Sequence, residues 1–415
     1  MKVLHVTTSS KGGAGIAARR LHEALCKHGV KSAFVSTNLT IDYNNQITND
    51  PFFAYRKPNF KEKVLRKIKK KFTVFRRERL KKELELLTDE IQCEIATLPF
   101  SFFQLQDHPL YLEADIINLH WINGVIDFPV FFSKNKKPII WTFHDMNPFM
   151  GLFHYQGDEV KNRVKAAVLD SKIKKIKNEA IKKIKHGIVI SPSKWLLEEI
   201  KSNQVFSVFD KFCVPNSIDL DVFKIIDKNE LRDRYGIPRE DFVLLFVSES
   251  LTNVRKGYDL LLKSLSILRE EKITLLTIGK GELPTMENHK VISMGEISSN
   301  SKMVECYALA NAFILPSRED NLPNVILESF ACGLPIVGFD VGGVSEHVIE
   351  NYTGILGNEL SASSLAEAII SMKDNHVKYD SQIIREYAEN SFSFKKQAQS
   401  YSDIYSLILR QSNKV

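Results

Sequence analysis

A chain of 415 residues exceeds the size at which a single hydrophobic core usually keeps growing, so two domains of about 200 residues each are expected. Its apolar fraction of 44% is that of a globular protein, and its five cysteines, odd in number and without a C-x-x-C pair, exclude a disulfide framework or a zinc site as the organising device. The net charge of +7 is unevenly spread, with a basic first half and a mildly acidic second half.

The opening MKVLHVTTSS lacks the charged start and long apolar run of a secretory signal, and no stretch approaches the ~20 apolar residues of a membrane span. A cytoplasmic protein is expected, at most peripheral at the inner face of the cell membrane. Along the chain, short apolar runs alternate with helical periodicity: KVLHVT, AARRLHEALCKHG, SAFVST, then DIINLHW, PIIWTFHD and HGIVISPS. That alternation predicts βαβ units around a parallel sheet.

Two basic stretches interrupt the first half, Lys61 to Leu84 and Lys161 to Lys185. Leu65, Ile68, Phe72 and Phe75 recur at helical spacing in the first, giving a basic amphipathic helix open to three uses. It can be a solvated helix packed on its own domain, a surface that docks on anionic lipid, or a nucleic-acid contact. The last is disfavoured by the lack of interleaved aromatic platforms, and no nucleic acid is expected as a partner.

A Pro-Asn-Ser turn between Asn203 and Asn216 marks a boundary, and the alternation then restarts. FVLLFVSES, a helix over 257–271, ITLLTIGKG, KVISMGE, a helix over 303–310, AFILPS, a helix opening at Leu322, and PIVGFDVG follow in turn. The domains are therefore 1–205 and 206–390, both Rossmann-like, with a C-terminal helix over 391–415 that must bury an apolar face and can return to the first domain. In such open sheets ligands bind beyond the carboxyl ends of the strands, so the site is expected in the cleft that the two domains face.

The richest motif is PSREDNLPNVILESFACGLPIV, Pro316 to Val337. An apolar strand runs into a polar turn and a helix whose unpaired N–H groups can receive anionic or hydroxyl-rich groups. Asp320 precedes that start and Glu328 lies on the helix, where each carboxylate can accept a pair of vicinal hydroxyls; N-capping by Asp320 and an ordinary surface Glu328 are the alternative. KGGAGIAARRL, with Gly12 and Gly13, follows the first strand but is neither a G-x-G-x-x-G nor a Walker loop. His120 and Trp121 in LHWING, and His144 and Asp145 in WTFHDMNPF, stand at later strand ends, where core packing competes with ligand contact.

These segments resemble glycosyltransferase family 4, of the GT-B fold, in its bacterial polysaccharide-biosynthesis branch. The family signature is a pair of glutamates flanking seven residues, and Asp320 stands here in place of the first, with Glu319 beside it. The resemblance implies that Glu328 holds the ribose of a nucleotide sugar and that Asp320 or Glu319 faces the donor sugar, with Leu322, Pro323 and Asn324 beside the sugar and diphosphate. SESLTNVRKG resembles the diphosphate grip, an Arg followed six residues later by Lys-Gly: Lys256 fits the Lys, Ser250 replaces the Arg, and Arg255 adjoins it. Gly279 and Glu296, in GKGEL and MGEIS, would border the base, Gly13 the diphosphate, and His144 the donor sugar. Gly12, His120, Trp121 and Asp145 would line the acceptor side.

The resemblance thus implies a retaining transfer from a nucleotide-diphosphate-sugar to a hydroxyl of a glycan or lipid-linked glycan. Neither cofactor nor metal takes part, with His144, Lys256 and Asp320 as the catalytic residues. Two alternatives stay open: a nucleotide-sugar epimerase or phosphorolytic enzyme on the same frame, and a non-catalytic, degenerate transferase.

Overall fold

The computed structural model describes residues 1–48, 77–281, 284, 286 and 288–412. The basic segment expected over 61–84 therefore lies largely outside the described residues, and only its end, within the helical stretch 77–87, is seen. The chain divides into two units. The first contains Met1–Pro192, Leu196–Val214 and Gln399–Val415, and the second contains Ser193–Trp195 and Pro215–Ala398. The division falls at 214/215, at the Pro-Asn-Ser turn and beyond the expected 205/206 bound, because the strand Asp210–Cys213 still belongs to the first sheet.

In the first unit, strands β1 (Lys2–Val6), β2 (Lys31–Val35), β3 (Thr40–Ile41), β4 (Ile47–Thr48), β5 (Ile116–Leu119), β6 (Ile139–Thr142), β7 (Gly187–Ser191) and β8 (Asp210–Cys213) form a sheet in the order β4-β3-β2-β1-β5-β6-β7-β8. All neighbours are parallel except the short β2-β3 and β3-β4 pairs at one edge. β5 and β6 are buried at every residue, as parallel strands covered on both faces must be.

In the second unit, β9 (Phe242–Ser250), β10 (Ile273–Lys280), β11 (Lys290–Ser293), β12 (Ala312–Leu315), β13 (Ile336–Phe339) and β14 (Gly354–Gly357) form an all-parallel sheet in the order β11-β10-β9-β12-β13-β14. One continuous core joins β9, β10, β12 and β13 to the helices Tyr258–Ile267, Asn324–Ala331 and Ala362–Asn375.

Each sheet begins at a central strand, builds outward to one side, then returns and builds on the other. The strand order therefore reverses between β1 and β5 in the first unit and between β9 and β12 in the second. At such a switch the loops leaving the two strands diverge to opposite faces and open a crevice beyond their carboxyl ends. Of the residues singled out from sequence, Gly12, His120 and Trp121 follow β1 and β5, and Arg255, Lys256, Glu319 and Asp320 follow β9 and β12.

The tail helix Phe394–Ser412 contributes Tyr401 and Tyr405 to the first unit. Asn118 Nδ2 donates to the Tyr405 hydroxyl at 2.8 Å, Thr142 Oγ1 donates to Asn118 Oδ1 at 3.1 Å, and Thr142 Oγ1 lies 3.0 Å from the Tyr401 hydroxyl. All four side chains are buried. Among the described residues no helix is long and apolar enough to cross a membrane. Tyr405→Phe removes the acceptor of a buried amide and is expected to cost ~1–3 kcal/mol in urea unfolding; an unchanged midpoint would show that the tail is held by apolar packing alone.

Candidate functional site

At the switch of the second sheet, β9 runs into a turn in which Asn253 Oδ1 accepts the N–H groups of Arg255 at 3.0 Å and Lys256 at 3.4 Å. This side-chain turn shapes the loop just before the helix Tyr258–Ile267, which starts one residue after Gly257 rather than at it. Gly257 has φ +72°, and a Cβ there would stand 1.7 Å from the Pro316 carbonyl oxygen, so only glycine lets the β9 loop meet the β12 loop this closely.

The two loops are then stitched together. The Arg318 N–H donates to the Arg255 carbonyl at 2.8 Å, Arg318 Nη1 donates to the Val254 carbonyl at 2.6 Å, and the Arg318 guanidinium forks onto Asp259 at 2.7 and 2.8 Å. Arg255 Nη1 in turn donates to the Glu319 carbonyl at 2.9 Å.

Across this seam Lys256 Nζ meets Asp320 Oδ2 at 2.5 Å, Arg255 Nη1 stands 3.5 Å from Asp320 Oδ1, and Ser317 Oγ donates to Asp320 Oδ2 at 3.2 Å. Asp320 is only 6% exposed. Burial alone would push its carboxyl up, but Lys256, Arg255 and the Ser317 hydroxyl outweigh that and hold it below the usual carboxylate range. Asp320 is therefore not a helix cap: the cap of Asn324–Ala331 is Pro323, extended at φ −67° and ψ 138°, which is why the helix opens at Asn324 rather than Leu322. Nor is Glu328 a surface acid. It is 7% exposed on the buried face of that helix, and its Oε2 accepts the Tyr307 hydroxyl at 2.8 Å.

Sequence reading missed the third side of this site. Gly342 has φ +56°, a Cβ on it would stand 1.8 Å from the Asp320 carbonyl oxygen, and the Gly343 N–H donates to that same carbonyl at 3.1 Å. The paired glycines after β13 were the available signal, since adjacent glycines at a strand end mark a close backbone approach. Gly279 and Glu296 lie at neighbouring strand ends, where the Gly279 N–H donates to the Gly295 carbonyl at 3.0 Å and Glu296 pairs with Lys280 at 3.4 Å. Glu282 and Leu283 of GKGEL are outside the described residues.

In the first unit the switch loops are joined by Thr8, whose N–H donates to the Trp121 carbonyl at 2.7 Å and whose hydroxyl donates to the Asn123 carbonyl at 2.5 Å. Gly12 and Gly13 form the first turn of the helix Gly12–Lys27. His120 and Asp145 differ from what their strand-end positions suggest. His120 is 3% exposed and has both ring nitrogens engaged, Nε2 with His5 Nδ1 at 2.9 Å and Nδ1 with His144 Nε2 at 3.1 Å. It therefore backs His144.

Asp145 is likewise buried and accepts from Trp121 Nε1 at 2.8 Å and the Asn147 N–H at 3.0 Å, with His154 Nδ1 at 2.6 Å. Burial would raise its carboxyl, but His154, Asn147 and Trp121 together hold it below the usual range. The loop that follows is anchored by Lys177, fully buried, which donates to the Asn147 carbonyl, Asn147 Oδ1 and the Gly151 carbonyl at 2.7–2.8 Å. Lys177 occupies the apolar stripe of its helix, beside Ile173, Ile176 and Ala180, so one lysine of the basic stretch 161–185 is core.

Burial keeps four histidines of this unit neutral, lowering His22 and His144 to about 4 and His5 and His120 well below 6.5. In the unfolded chain each titrates near 6.5. As pH falls below ~6.5 the unfolded state binds protons that the folded state refuses, so stability is complete above that value and is lost progressively toward pH 4. Calorimetric melting between pH 8 and 4.5 is expected to show this decline beginning near 6.5, and a flat melting temperature would contradict it.

Residues 241–375 match the family model of Glycosyl transferases group 1. The chain is 27% identical over 208 residues to the N-acetyl-alpha-D-glucosaminyl L-malate synthase of Bacillus anthracis, covering 48% of this chain and 54% of that protein. It is 24% identical over 214 residues to the N,N'-diacetylbacillosaminyl-diphospho-undecaprenol alpha-1,3-N-acetylgalactosaminyltransferase of Campylobacter jejuni, covering 48% and 56%. The chain thus spans about half the length of these curated relatives. Among solved structures it resembles Anabaena Alr3699/HepE in complex with UDP, with a TM-score of 0.61 and 16% identity over 98% of this chain and all of that one. The chain is therefore a two-unit α/β protein of the GT-B glycosyltransferase fold, and its residues 241–375 are a region of the Glycosyl transferases group 1 kind.

Proposed function

We propose that the protein is a retaining glycosyltransferase that moves a sugar from a nucleotide-diphosphate-sugar to a hydroxyl of a glycan or lipid-linked glycan, in bacterial surface polysaccharide synthesis. The observation that carries this reading is the convergence of Lys256 and Arg255 on buried Asp320 at the sheet's switch, with Glu328 buried on the helix that follows. A relative whose acceptor is a diphospho-undecaprenol sugar and a fold neighbour that binds UDP support the acceptor and donor classes.

Chemically, a departing nucleoside diphosphate gains negative charge as the glycosidic bond breaks. Lys256 meets that charge, and Arg255, whose guanidinium lies in the same seam, takes the place of the cation lost at Ser250. Asp320, with Glu319 beside it, accepts from the donor sugar's hydroxyls, and Glu328 accepts from the ribose. Gly279 and Glu296 border the base. His144 supplies a hydrogen bond to a sugar hydroxyl. The proton of the incoming hydroxyl passes to the leaving diphosphate oxygen on the same face, which keeps the anomeric configuration and asks for no protein base.

A saturation-transfer screen of UDP-, GDP- and ADP-sugars, followed by nuclear magnetic resonance of the product anomer, tests the reading. Transfer with an inverted anomer would overturn the retaining mechanism, and conversion of the donor without any acceptor would favour an epimerase or phosphorolytic enzyme.

Lys256→Ala is expected to abolish turnover, and it is also expected to destabilise the unit, because it strips the nearest cation from a buried carboxylate. Adding Asp320→Asn should restore the melting temperature without restoring turnover; recovered turnover in that double variant would remove Lys256 from the mechanism. Glu328→Gln should weaken nucleotide binding by ~1–3 kcal/mol in calorimetry, and an unchanged affinity would count against the ribose contact.

A further inference from the structure

One group of side chains in the first unit enters the reaction as described only through its outermost member. His5, in the centre of β1, His120, just past β5, and His144, just past β6, form an unbroken line of imidazoles. His5 Nδ1 lies 2.9 Å from His120 Nε2, and His120 Nδ1 lies 3.1 Å from His144 Nε2. The rings stack in sequence, with centroids 5.2 and 5.3 Å apart and interplanar angles of 28° and 23°. His5 and His120 are buried, and His144 is the member that is partly exposed. Beyond His5 stands the His22 ring, edge to face at 6.2 Å, whose Nδ1 is already engaged with Ser32 Oγ at 2.8 Å.

A neutral imidazole carries one N–H and one bare nitrogen. Each contact in the line needs one of each, since two N–H groups or two lone pairs face to face repel. Only two proton arrangements satisfy both contacts at once. In one, every ring is protonated on Nδ1; in the other, every ring is protonated on Nε2. The buried end of the line decides between them, because His5 Nε2 is buried with no hydrogen-bond partner among the described residues. A buried N–H without an acceptor is among the rarest defects of folded proteins, and a bare ring nitrogen is the lesser cost. The proton of His5 therefore belongs on Nδ1, which fixes that of His120 on Nδ1 and that of His144 on Nδ1.

We propose that His5 and His120 are positioning residues that hold His144 in the Nδ1–H tautomer, making its outer ring nitrogen a hydrogen-bond donor and not a base. This deepens the transferase reading and rests on it only for its catalytic consequence: His144 donates to an oxygen of the sugar nucleotide and takes no proton from the acceptor. No bond is made or broken within the line, and its three protons stay on three rings.

The test is long-range proton–nitrogen correlation spectroscopy of the full ligand-free chain, labelled with nitrogen-15 histidine at pH 7.5, with the signals assigned through single variants. The expected result is the Nδ1–H pattern for His5, His120 and His144 together. An Nε2–H pattern in any of the three overturns the proposal, and so would a buried water that satisfies His5 Nε2 and shifts the register. His5→Phe keeps a ring in place but removes the donor, so His144 is expected to become a mixture of tautomers, while His5→Asn, which keeps an N–H near the Nδ1 position, is expected to retain the single tautomer. A His144 signal unchanged in His5→Phe overturns the proposal.

With a donor and acceptor in hand, His5→Phe is expected to lower kcat about tenfold with little change in KM, the factor that corresponds to ~1.4 kcal/mol for one hydrogen bond. His5→Asn should recover most of that loss. If the spectra show the Nδ1–H line and no nucleotide sugar is turned over, the transferase reading fails and the line stands. If turnover is normal and the register is Nε2–H, the line fails and the transferase reading stands.

Discussion

A buried carboxylate must be met by positive charge or give up its own, and the second unit is arranged around that constraint at Asp320. Lys256 and Arg255 come from the loop after β9, Ser317 and Asp320 from the loop after β12, and the glycines 342 and 343 close over the Asp320 carbonyl from beyond β13. Three strand ends are thus fixed to one another by one ionic cluster. The cost of burying the acid is repaid only while all three stay in register, so the same interaction that holds the seam also sets two cations side by side at the sheet's switch.

The first unit solves a related problem without charge. Its polar side chains at the strand ends are histidines, kept neutral by burial and satisfied largely by one another, and an aspartate held by Trp121, His154 and the Asn147 N–H. Lys177 supplies the three donors that the returning loop needs for the Asn147 and Gly151 oxygens. Neutral, interlocked imidazoles cost less to bury than ions do.

Much of the fold was legible because it rests on local patterns. Continuous apolar runs such as FVLLF and IVISP can only be strands covered on both faces, and their alternation with amphipathic helices leaves a doubly wound sheet as the natural outcome. Lys256, Asp320 and Glu328 could be singled out because they lie in two compact segments, and the structure pairs the first two and buries the third on the helix that follows. What the sequence left hidden was of a different kind. His120 and Asp145 stand at strand ends, as ligand-binding residues do, and nothing in the neighbouring sequence reveals that His5 and His154, 115 residues back and 9 residues on respectively, occupy their ring and carboxylate positions.

By itself, then, the sequence determined the alternation of strands and helices, the two-domain plan and the two segments that meet at Asp320, because periodicity, glycine placement and acid–base spacing are local properties. The tertiary structure alone decided which acid is buried, which cation meets it, that Glu328 lies inside rather than on the surface, and that one lysine of a basic helix is core. Those outcomes depend on burial and on partners brought from distant strands, and the energy of a charged or polar side chain is set by its surroundings rather than by its neighbours in the chain.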